Sequence, residues 1–524
     1  MDISIHRKRV PVNAFRFFAA AAVLLVTGCA SLPPLEGRTV TTALSAVPDT
    51  RLGRALASEL AAHPGRTGVH PLPRPRDAFA ARVVLAAAAD RSIDVQYYIW
   101  HGDQVGYLMF EALWEAAERG VRVRMLLDDM NTAGLDPTLA ALDAHPNIEV
   151  RLYNPLAVRG ARWLNFVGDF ARLNRRMHNK SFTVDNQASI VGGRNIGNEY
   201  FGAGDGLVFA DLDVIAVGAA VPAVSDEFDL YWNSPSAYPA AKLVGAGYAG
   251  AADGLEAQFA ATRADPGSLA YMEAAKTTPI VRDMLDRGLA WEWVTAHVVN
   301  DDPAKTLDTE ARKDFLLFPE LVRLVGQPES TLDLITPYFV PGKEGTEALA
   351  DLARRGVAMR ILTNSLGASD VSAVHAGYAK RREALLRAGI RLYELKPDAG
   401  LDSQEGRATL GSSAASGLHA KTFAVDRRRL FVGSFNFDQR SANLNTEMGL
   451  VIESAALAQR MADLFDKQVP LDAYEVRLRP GSDDLQWIER THSGERVHDE
   501  EPGTGWWSRF KVNVLSVLPI EWLL

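Results

Sequence analysis

The chain has 524 residues, which is longer than one ordinary domain and predicts at least two. Hydrophobic residues make up 47% and charged residues 23%, the proportions of a globular protein with a full apolar core. The formal net charge of −9 disfavours general nucleic-acid binding, because the phosphate backbone requires a basic protein surface.

The N-terminus carries the pattern of a bacterial lipoprotein signal. Arg7 and Arg16 belong to a basic segment before the apolar residues 17–26, which are too few to span a bilayer. Cys29 ends a Val-Thr-Gly-Cys sequence and is the only cysteine, which excludes an intramolecular disulfide. The pattern resembles signals whose cleavage, here after residue 28, leaves an acylated cysteine, and Ala30 is typical of outer-membrane sorting. The alternatives are an uncleaved anchor and a buried cysteine.

Residues 29–76 are rich in Pro, Ala and Gly, which predicts a spacer with one short helix near 52–62. A first domain is predicted over residues 77–244, where helices alternate with strands. Its predicted elements are a helix over 77–89 capped by Asp77, a strand over 93–99, a helix over 106–119, and strands over 121–127 and 148–153. This alternation predicts βαβ units in a mixed sheet.

A polar motif of the form H-x-K-x₄-D follows at His178, Lys180 and Asp185, and a Gly-Gly-Arg-Asn sequence ends at Asn195. Residues i and i+2 of a strand point to the same face, so His178 and Lys180 share one surface. The two glycines let the backbone or a ligand approach closely, and Asn195 falls beside the His-Lys pair. A single motif of this kind is more often a core histidine with a surface lysine.

Residues 245–315 are Ala-rich and charged, and they predict a mostly helical connector to which we assign no chemistry. Residues 316–485 then repeat the order of the first domain. The matching elements are a strand over 331–336, a helix over 345–355, and strands over 357–362 and 390–394. A nearly constant offset across four elements predicts a duplicated domain, and a pseudo-twofold arrangement would set the two motifs face to face.

The motif recurs in the second domain at His419, Lys421 and Asp426, followed by a Gly-Ser-Phe-Asn sequence that contains Ser434 and Asn436. Two facing copies supply two imidazoles, two ammonium groups and two amides around one anion. This set suits a phosphoryl group: lysines and amides neutralise its oxygens, one histidine attacks, and the other protonates the leaving oxygen.

Each motif is followed by a carboxylate just before an apolar strand, at Asp211 and Asp213 in the first half and at Glu447 in the second. A carboxylate in that position can hydrogen-bond a histidine and set its tautomer. An exposed charge at the start of a strand is the alternative. Each half then closes with a helix, predicted near 221–231 and 457–465.

Residues 486–524 form an apolar tail that we expect to associate with a membrane. Trp506, Trp507 and Lys511 stand beside an apolar stretch, a combination typical of the membrane interface. Pro519 and the short length disfavour a spanning helix. The alternative is a C-terminal segment docked on the body of the protein.

The duplicated motif resembles that of the phospholipase D superfamily, over about residues 77–470. The sequences at 172–180, 335–339 and 362–366 are most similar to its bacterial cardiolipin synthase C branch. The resemblance implies an α/β fold: two duplicated phospholipase D-like α/β/α domains with pseudo-twofold symmetry and a single shared active site. It implies a phosphatidyltransferase that makes cardiolipin from phosphatidylglycerol and phosphatidylethanolamine at the membrane. No metal, cofactor or nucleic acid is implied, and the need for an accessory protein stays open.

The resemblance also implies a role for each motif residue. His178 is the nucleophile that forms a phosphohistidine, and His419 is the general acid and then the base. The groups that hold phosphate oxygens are Lys180, Lys421, Asn195, Ser434 and Asn436. Asp185 and Asp426, the remaining members of the catalytic motifs, orient them, and Glu447 and the weaker counterpart Asp213 support the histidines. The first half departs from the pattern at Gly193, where the second has Ser434.

Transfer and hydrolysis use the same motif, so the outcome depends on the acceptor. Residues 364–378, with Asp370, His375 and Tyr378, are expected to line the acceptor pocket; a plain surface loop is the alternative. Hydrolysis of phospholipid or nucleic acid competes with transfer as an interpretation, as does a catalytically silent lipid-binding scaffold. Two intact motifs argue against the scaffold.

Overall fold

Each half of the chain folds into a mixed sheet flanked by helices, as the alternation of strands and helices in the sequence predicts. The computed structural model describes residues 31–204, 207–244, 251–286, 288–307, 316–369, 371–399, 416–491, 494–516, 521 and 524. The strands of the first half are β1 (Thr67–Leu72), β2 (Ser92–Ile99), β3 (Arg122–Asn131), β4 (Ile148–Tyr153), β5 (Ser181–Val184), β6 (Ala188–Gly192), β7 (Val208–Ala210), β8 (Asp213–Gly218) and β9 (Ala237–Pro239). Its helices are α1 (Arg51–Ala62), α2 (Pro75–Ala88), α3 (Gln104–Glu118), α4 (Asp136–Asp143), α5 (Asn165–Leu173), α6 (Asn198–Phe201), α7 (Val221–Trp232) and α8 (Ala240–Val244).

The described part of the connector contains three α-helices, one strand and a short 3-10 helix at Pro303–Thr306. The α-helices and the strand are α9 (Ala251–Ala264), α10 (Pro266–Lys276), α11 (Pro279–Leu285) and β10 (Glu292–Asn300). The strands of the second half are β11 (Thr331–Ile335), β12 (Phe339–Val340), β13 (Ala358–Asn364), β14 (Arg391–Leu395), β15 (Ser416–Leu418), β16 (Lys421–Val425), β17 (Arg429–Gly433), β18 (Phe437–Asp438), β19 (Met448–Glu453), β20 (Ala473–Leu478), β21 (Leu485–Thr491) and β22 (Gly494–His498). Its helices are α12 (Leu317–Val325), α13 (Gly342–Arg354), α14 (Ser372–Ala379), α15 (Arg382–Arg387), α16 (Gln439–Asn443), α17 (Ala455–Lys467), α18 (Val469–Asp472) and α19 (Trp506–Ser516).

The two sheets repeat one strand order. The first half runs β4-β3-β2-β5-β6-β8 and the second runs β14-β13-β11-β16-β17-β19. In both, the first three strands are parallel and the last three follow as antiparallel neighbours. The duplication predicted from the sequence is therefore present strand for strand.

Strand β10 joins the two sheets, since it pairs with β1 on one side and with β19 on the other. The sequence analysis predicted a helical connector there and a spacer where β1 lies. The composition of these segments does not indicate either strand. β1, for example, contains Gly68 and Pro71, which usually mark turns. Pro71 lies beyond Val69, the last β1 residue paired with β10, so that side of the strand is an edge, where proline is tolerated.

Helix α2 begins two residues earlier than predicted. Pro75 occupies its first position, where the fixed φ of proline and its missing N–H are favourable, and Asp77 lies in the first turn rather than at the cap. The helices predicted near 221–231 and 457–465 are observed as α7 and α17.

Both motifs lie at the carboxyl ends of the parallel strands. β5 runs antiparallel to β2 with Ser181 opposite Gln96, so His178 lies level with Ile99 at the end of β2. β16 runs antiparallel to β11 with Thr422 opposite Ile335, which sets His419 at the equivalent place. This is the edge at which open α/β sheets bind their ligands.

A shared apolar core holds the two sheets together. It contains Val191 and Val214 of the first half together with Val432, Leu450 and Ile452 of the second, all fully buried. Side chains from both sheets interdigitate there, which fixes the two motif-bearing edges opposite one another. Within the described ranges, no helix is long and apolar enough to cross a membrane.

Candidate active site

The two motifs face each other at two short backbone bridges between the halves. On one side, His178 N donates to Thr446 O at 2.8 Å, and Thr446 N donates to Arg176 O at 2.9 Å. On the other side, β15 pairs with β7, and His419 N donates to Ala210 O at 2.9 Å. Each bridge sets one motif histidine beside the residue that precedes a carboxylate of the opposite half.

Each histidine hydrogen-bonds a carboxylate from the other half. The Nδ1 of His178 lies 2.7 Å from Oε2 of Glu447, and the Nδ1 of His419 lies 2.6 Å from Oδ2 of Asp211. An ionised carboxylate accepts hydrogen bonds, so His419 carries a proton on Nδ1 beside Asp211, and His178 does so when Glu447 is ionised; Nε2 of each ring is then left for a ligand. Neither half alone therefore supplies both a motif histidine and the carboxylate that binds it.

The two histidine–carboxylate pairs differ in their electrostatics. Burial raises the pKa of Glu447 to about 7 against the opposing charge of Lys180. Burial also acts on Asp211, but the charge and the hydrogen bond of His419 outweigh it and lower the pKa of Asp211 to about 2. Burial and the charge of Lys180 hold the pKa of His178 well below its usual value. His178 is therefore neutral near pH 7. Burial and the charge of Lys421 also lower the pKa of His419, but the charge and the hydrogen bond of ionised Asp211 oppose that shift.

The motif lysines are buried next to the histidines. Lys180 Nζ donates to His178 O at 2.5 Å, and Lys421 Nζ donates to His419 O. The ring centre of Tyr98 lies 5.5 Å from Lys180 Nζ. Burial lowers the pKa of Lys180 well below its usual value, and Glu447 opposes this shift. A bound phosphate would add negative charge and favour the protonated lysine.

The motif asparagines keep hydrogen-bonding capacity for a ligand. Asn195 Oδ1 accepts from Ile99 N at 3.1 Å, and its Nδ2 has no hydrogen-bond partner within the described part of the chain. Asn436 is also buried, and among the described residues its Oδ1 has no partner. The amide of Asn195 has an N–H without a partner in the described ranges. Rotating the amide of Asn436 by 180° exchanges its oxygen and nitrogen, so this side chain can also offer an N–H to an oxyanion.

Ser434 does not hold phosphate oxygens, and this prediction is wrong. Its Oγ donates to Glu447 Oε2 at 2.5 Å and accepts from Met448 N at 3.0 Å, and the side chain is fully buried. The first half has Gly193 at this position because a Cβ there would lie 2.2 Å from Asp211 Oδ1. One half therefore steadies a long carboxylate with a serine, and the other makes room for a short one with a glycine.

Asp213 is not the counterpart of Glu447, and this prediction is also wrong. β6 pairs Gly192 with Asp213, and β17 pairs the equivalent Gly433 with residue 449. Glu447 stands two residues before that paired position, so its counterpart is Asp211, two residues before Asp213.

Asp213 instead neutralises two buried arginines. Its Oδ2 lies 2.8 Å from Arg82 Nη2 and 3.4 Å from Arg194 Nη1. The Asp-Leu-Asp sequence offers two carboxylates on the same side of an extended segment, so only the pairing register shows which of them reaches the histidine.

The motif aspartates lie at the opposite end of the motif strands from the histidines. Asp185 accepts hydrogen bonds from the backbone N–H groups of residues 90–92, and Asp426 accepts from those of residues 329–331. Both adopt a positive φ, as do the residues that follow them, which is the geometry of a tight two-residue hairpin turn. Their role is structural, in agreement with the orienting role implied by the family resemblance.

Two further residues hold the segment before each histidine; the sequence analysis gave Asp128 no role and placed Asn364 in the expected acceptor pocket. Asp128 Oδ2 accepts from Met177 N at 2.9 Å, and Asp128 forms a buried ion pair with Arg176 at 2.6 Å. Asn364 Oδ1 accepts from Leu418 N at 2.8 Å in the second half. Both lie near the carboxyl end of the central parallel strand, a position that would have identified them.

Glu227 on α7 was also missed, because a glutamate on a mostly apolar helix carries no motif. Its Oε1 accepts from Asn179 Nδ2 at 2.6 Å, and its Oε2 accepts from Gln96 Nε2 at 2.5 Å. Thr446 Oγ1 donates to Asn179 Oδ1 at 3.1 Å, which extends the network across the two halves. Burial raises the pKa of Glu227 to about 8.

Two of the residues expected to line an acceptor pocket, His375 and Tyr378, lie elsewhere. His375 and Tyr378 are each 2% exposed. His375 Nε2 lies 3.0 Å from Glu501 Oε1, and Tyr378 Oη donates to Glu394 at 3.1 Å, so both belong to a buried polar cluster that fastens the C-terminal segment. Cys29 and Asp370 lie outside the described residues.

Substituting Gly193 with serine should displace Asp211, because the new Cβ meets its Oδ1 at 2.2 Å. We expect phosphodiester turnover to fall about 10- to 100-fold, as when the partner of a catalytic group is disturbed. Steady-state kinetics with a thermal melt checks this result. Gly254→Ala, whose added Cβ has open space, is the matched control. Wild-type turnover in Gly193→Ser would show that Asp211 does not support His419.

Substituting Glu227 with glutamine should change how stability depends on pH. The folded pKa of about 8 lies above the usual 4.5, so this group stabilises the fold fully below pH 4.5 and loses that contribution as pH rises through about 8. Between pH 6 and 9 the melting temperature of the wild type should therefore fall more than that of Glu227→Gln. Glu256→Gln, at an exposed position of α9, should follow the wild type. Equal slopes for all three proteins would contradict the raised pKa.

The amino-acid sequence and the fold are similar to those of known proteins. The family profile described as "Cardiolipin synthase, PLD-like domain" covers residues 84–228 and 321–469. Cardiolipin synthase C of Escherichia coli (strain K12) is 46% identical over 476 residues, which are 90% of this chain and 100% of that protein. An uncharacterized protein of Helicobacter pylori (strain J99) is 30% identical over 481 residues, 90% of this chain and 92% of that protein.

The fold also matches a crystal structure of phosphatidylserine synthase from Haemophilus influenzae Rd KW20. The match covers 91% of this chain and 100% of that chain, with a TM-score of 0.54 and 14% sequence identity, which is a likeness of fold. Two profile matches, one per half, coincide with the two motif-bearing sheets. The chain therefore belongs to the cardiolipin synthase branch of the phospholipase D superfamily.

Proposed function

We propose that this protein is a phosphatidyltransferase that makes cardiolipin from phosphatidylglycerol and a second phospholipid, phosphatidylethanolamine. The observation that carries the proposal is the pair of histidines in one cleft, each held by a carboxylate of the opposite half. Two buried lysines and two buried amides surround them, as a phosphodiester requires. The 46% identity to a cardiolipin synthase over most of the chain supports transfer over hydrolysis.

The first step makes a covalent phosphatidyl-enzyme. The lone pair of His178 Nε2 forms a bond to phosphorus, and the bond from phosphorus to the headgroup oxygen breaks. Protonated His419 donates its Nε2 proton to that oxygen. Ethanolamine therefore leaves with a neutral hydroxyl group rather than as an alkoxide. The difference between the two pairs supports this assignment. The pKa of His178 is held well below its usual value, which leaves this histidine neutral and nucleophilic, whereas ionised Asp211 opposes the lowering of the pKa of His419 and stabilises its imidazolium.

The motif lysines and asparagines stabilise the charge that develops on the phosphoryl oxygens. Lys180 and Lys421 stand beside the two histidines, and Asn195 and Asn436 retain amide capacity at the same edge. These groups are fixed by the fold before substrate binds. Little reorganisation is then needed in the transition state, which is the main source of electrostatic catalysis.

The second step transfers the phosphatidyl group to the acceptor. His419, now neutral, takes the proton of a glycerol hydroxyl of phosphatidylglycerol, and the oxygen attacks phosphorus. The phosphorus–nitrogen bond breaks and its electron pair returns to His178, which restores both histidines and releases cardiolipin. Water in place of the hydroxyl would give phosphatidic acid, which is the hydrolytic alternative.

We further propose that the protein is a lipoprotein of the bacterial cell envelope. Cleavage after residue 28 would leave Cys29 acylated, on the periplasmic side and with the outer membrane favoured over the inner one. The basic and apolar leader and the Val-Thr-Gly-Cys sequence support this placement. Acyl chains on Cys29 would keep the enzyme at its substrate.

The roles of the two histidines can be separated with a leaving group that needs no proton. With natural lipid, His178→Ala and His419→Ala should each lose about 10³-fold in turnover, within the range for loss of acid–base catalysis. With a nitrophenyl phosphatidyl ester, His419→Ala should still form the covalent adduct and His178→Ala should not. Mass spectrometry of the protein detects the adduct, and His498→Ala is the control. An adduct in His178→Ala alone would exchange the two roles.

Product analysis tests the reaction itself. Vesicles of phosphatidylglycerol alone, and then mixed with phosphatidylethanolamine, are incubated with the purified protein, and the lipids are analysed by mass spectrometry. We expect cardiolipin that increases with phosphatidylethanolamine and disappears in His178→Ala. Phosphatidic acid without cardiolipin would make the enzyme a phospholipase, and no lipid product in either mixture would overturn the proposal.

Removing the lipidation site tests the anchor. In Cys29→Ser cells, metabolic labelling with a fatty acid should give no labelled protein, because the acylated thiol is missing. The wild type should be labelled and should fractionate with outer membranes. Labelling that persists in Cys29→Ser, or its absence from the wild type, would exclude a lipoprotein.

A further inference from the structure

The segment before the first motif exposes an apolar stripe. Trp163 lies in a short 3-10 turn, and Val167 and Phe170 follow on α5; their exposed fractions are 69%, 61% and 47%. Asp169 interrupts the helix between Val167 and Phe170, so the three side chains follow one another along an exposed, kinked segment. Neighbouring large apolar side chains that are exposed in this way mark a surface that contacts a partner.

Helix α19 exposes a second stripe, and it is aromatic. The rings of Trp507 and Phe510 stack with centres 5.4 Å apart, and the ring of Trp506 lies 4.5 Å from that of Trp507. All three are exposed, Trp506 by 67%. The other side of the helix packs through Val512 against Leu366. The helix is therefore docked on the body, and its aromatic side chains take no part in that docking.

Both stripes lie on segments that connect to the segments before the motif histidines. Only residues 174–177 separate the end of α5 from His178. Arg440 Nη2 donates to Asn174 O at 2.8 Å, and Arg440 N donates to Leu524 O at 2.7 Å, so the end of α5 and the last residue of the chain meet. Helix α19 packs on α14, which follows the strand that carries Asn364, the residue that holds the segment before His419.

We propose that these two stripes form one docking face for a phospholipid bilayer, placed around the mouth of the cleft. The proposal rests on the function proposed above. His178 is only 6% exposed, so phosphorus must enter the cleft while the acyl chains stay in the membrane. The bilayer surface must then touch whatever borders the mouth. Tryptophan and phenylalanine side chains are the groups that prefer this interfacial depth.

The test compares two substrates and two readouts in the full-length protein. The substrates are phosphatidylglycerol in vesicles and short-chain phosphatidylglycerol dispersed as monomers, each with the matching phosphatidylethanolamine. The second readout is quenching of tryptophan fluorescence by vesicles with brominated acyl chains. The variants are Val167→Glu/Phe170→Glu on α5 and Trp507→Glu/Phe510→Glu on α19. Leu285→Glu, at 67% exposed on α11, is the matched control. Both readouts depend on contact between these side chains and the bilayer. An acyl anchor on Cys29 would keep the protein at the membrane but would not replace this contact.

Each double variant should lose about 10-fold or more in cardiolipin formation on vesicles, as expected when two large apolar side chains no longer enter the membrane. Turnover of the short-chain lipids should stay within about twofold of the wild type, which also shows that the variants fold. Leu285→Glu should match the wild type throughout. Bromolipid quenching should fall in Trp507→Glu/Phe510→Glu.

Other outcomes separate this proposal from the proposed function. Bromolipid quenching without turnover of either substrate would overturn the function and leave the docking face standing. Variants that equal the wild type on vesicles in both readouts would overturn the docking face. The exposed aromatic side chains would then be assigned to a protein partner.

Discussion

The site depends on two hydrogen bonds that cross between the halves, His178 to Glu447 and His419 to Asp211. The surrounding backbone contacts position these four side chains. Backbone bridges set each histidine beside the opposite carboxylate, and β10 links the two sheets so that the halves cannot shift independently. Because the carboxylates are buried, a small displacement would leave a charge unpaired, so the geometry is held from both sides.

The order of strands and helices could be predicted from the sequence, because a strand buried on both faces and a helix leave different apolar periods. The motif histidines and lysines could be predicted as well, since their spacing recurs. The partner of His419 could not, because Asp211 and Asp213 are equivalent in sequence and only the strand register separates them. The prediction for Ser434 was wrong for a related reason. Whether its hydroxyl faces the ligand or Glu447 depends on how the two halves pack.

The connecting strands were missed on other physical grounds. β1 and β10 gain their stability by pairing with distant strands rather than from local propensity, and β1 contains the residues that usually mark turns. The buried Glu227 was missed because nothing in its neighbourhood distinguishes it from a surface glutamate. Its role appears only when Asn179 and Gln96 are seen to converge on it.

Gly193 and Ser434 show what duplication within one chain permits. A site built by two identical subunits would give both histidines the same carboxylate and the same neighbour, so both would have the same acidity. A fused gene frees each copy to mutate separately. One copy here has acquired a short carboxylate over a glycine, and the other a long carboxylate steadied by a serine. Duplication within one chain thus permits two otherwise equivalent imidazoles to take different roles.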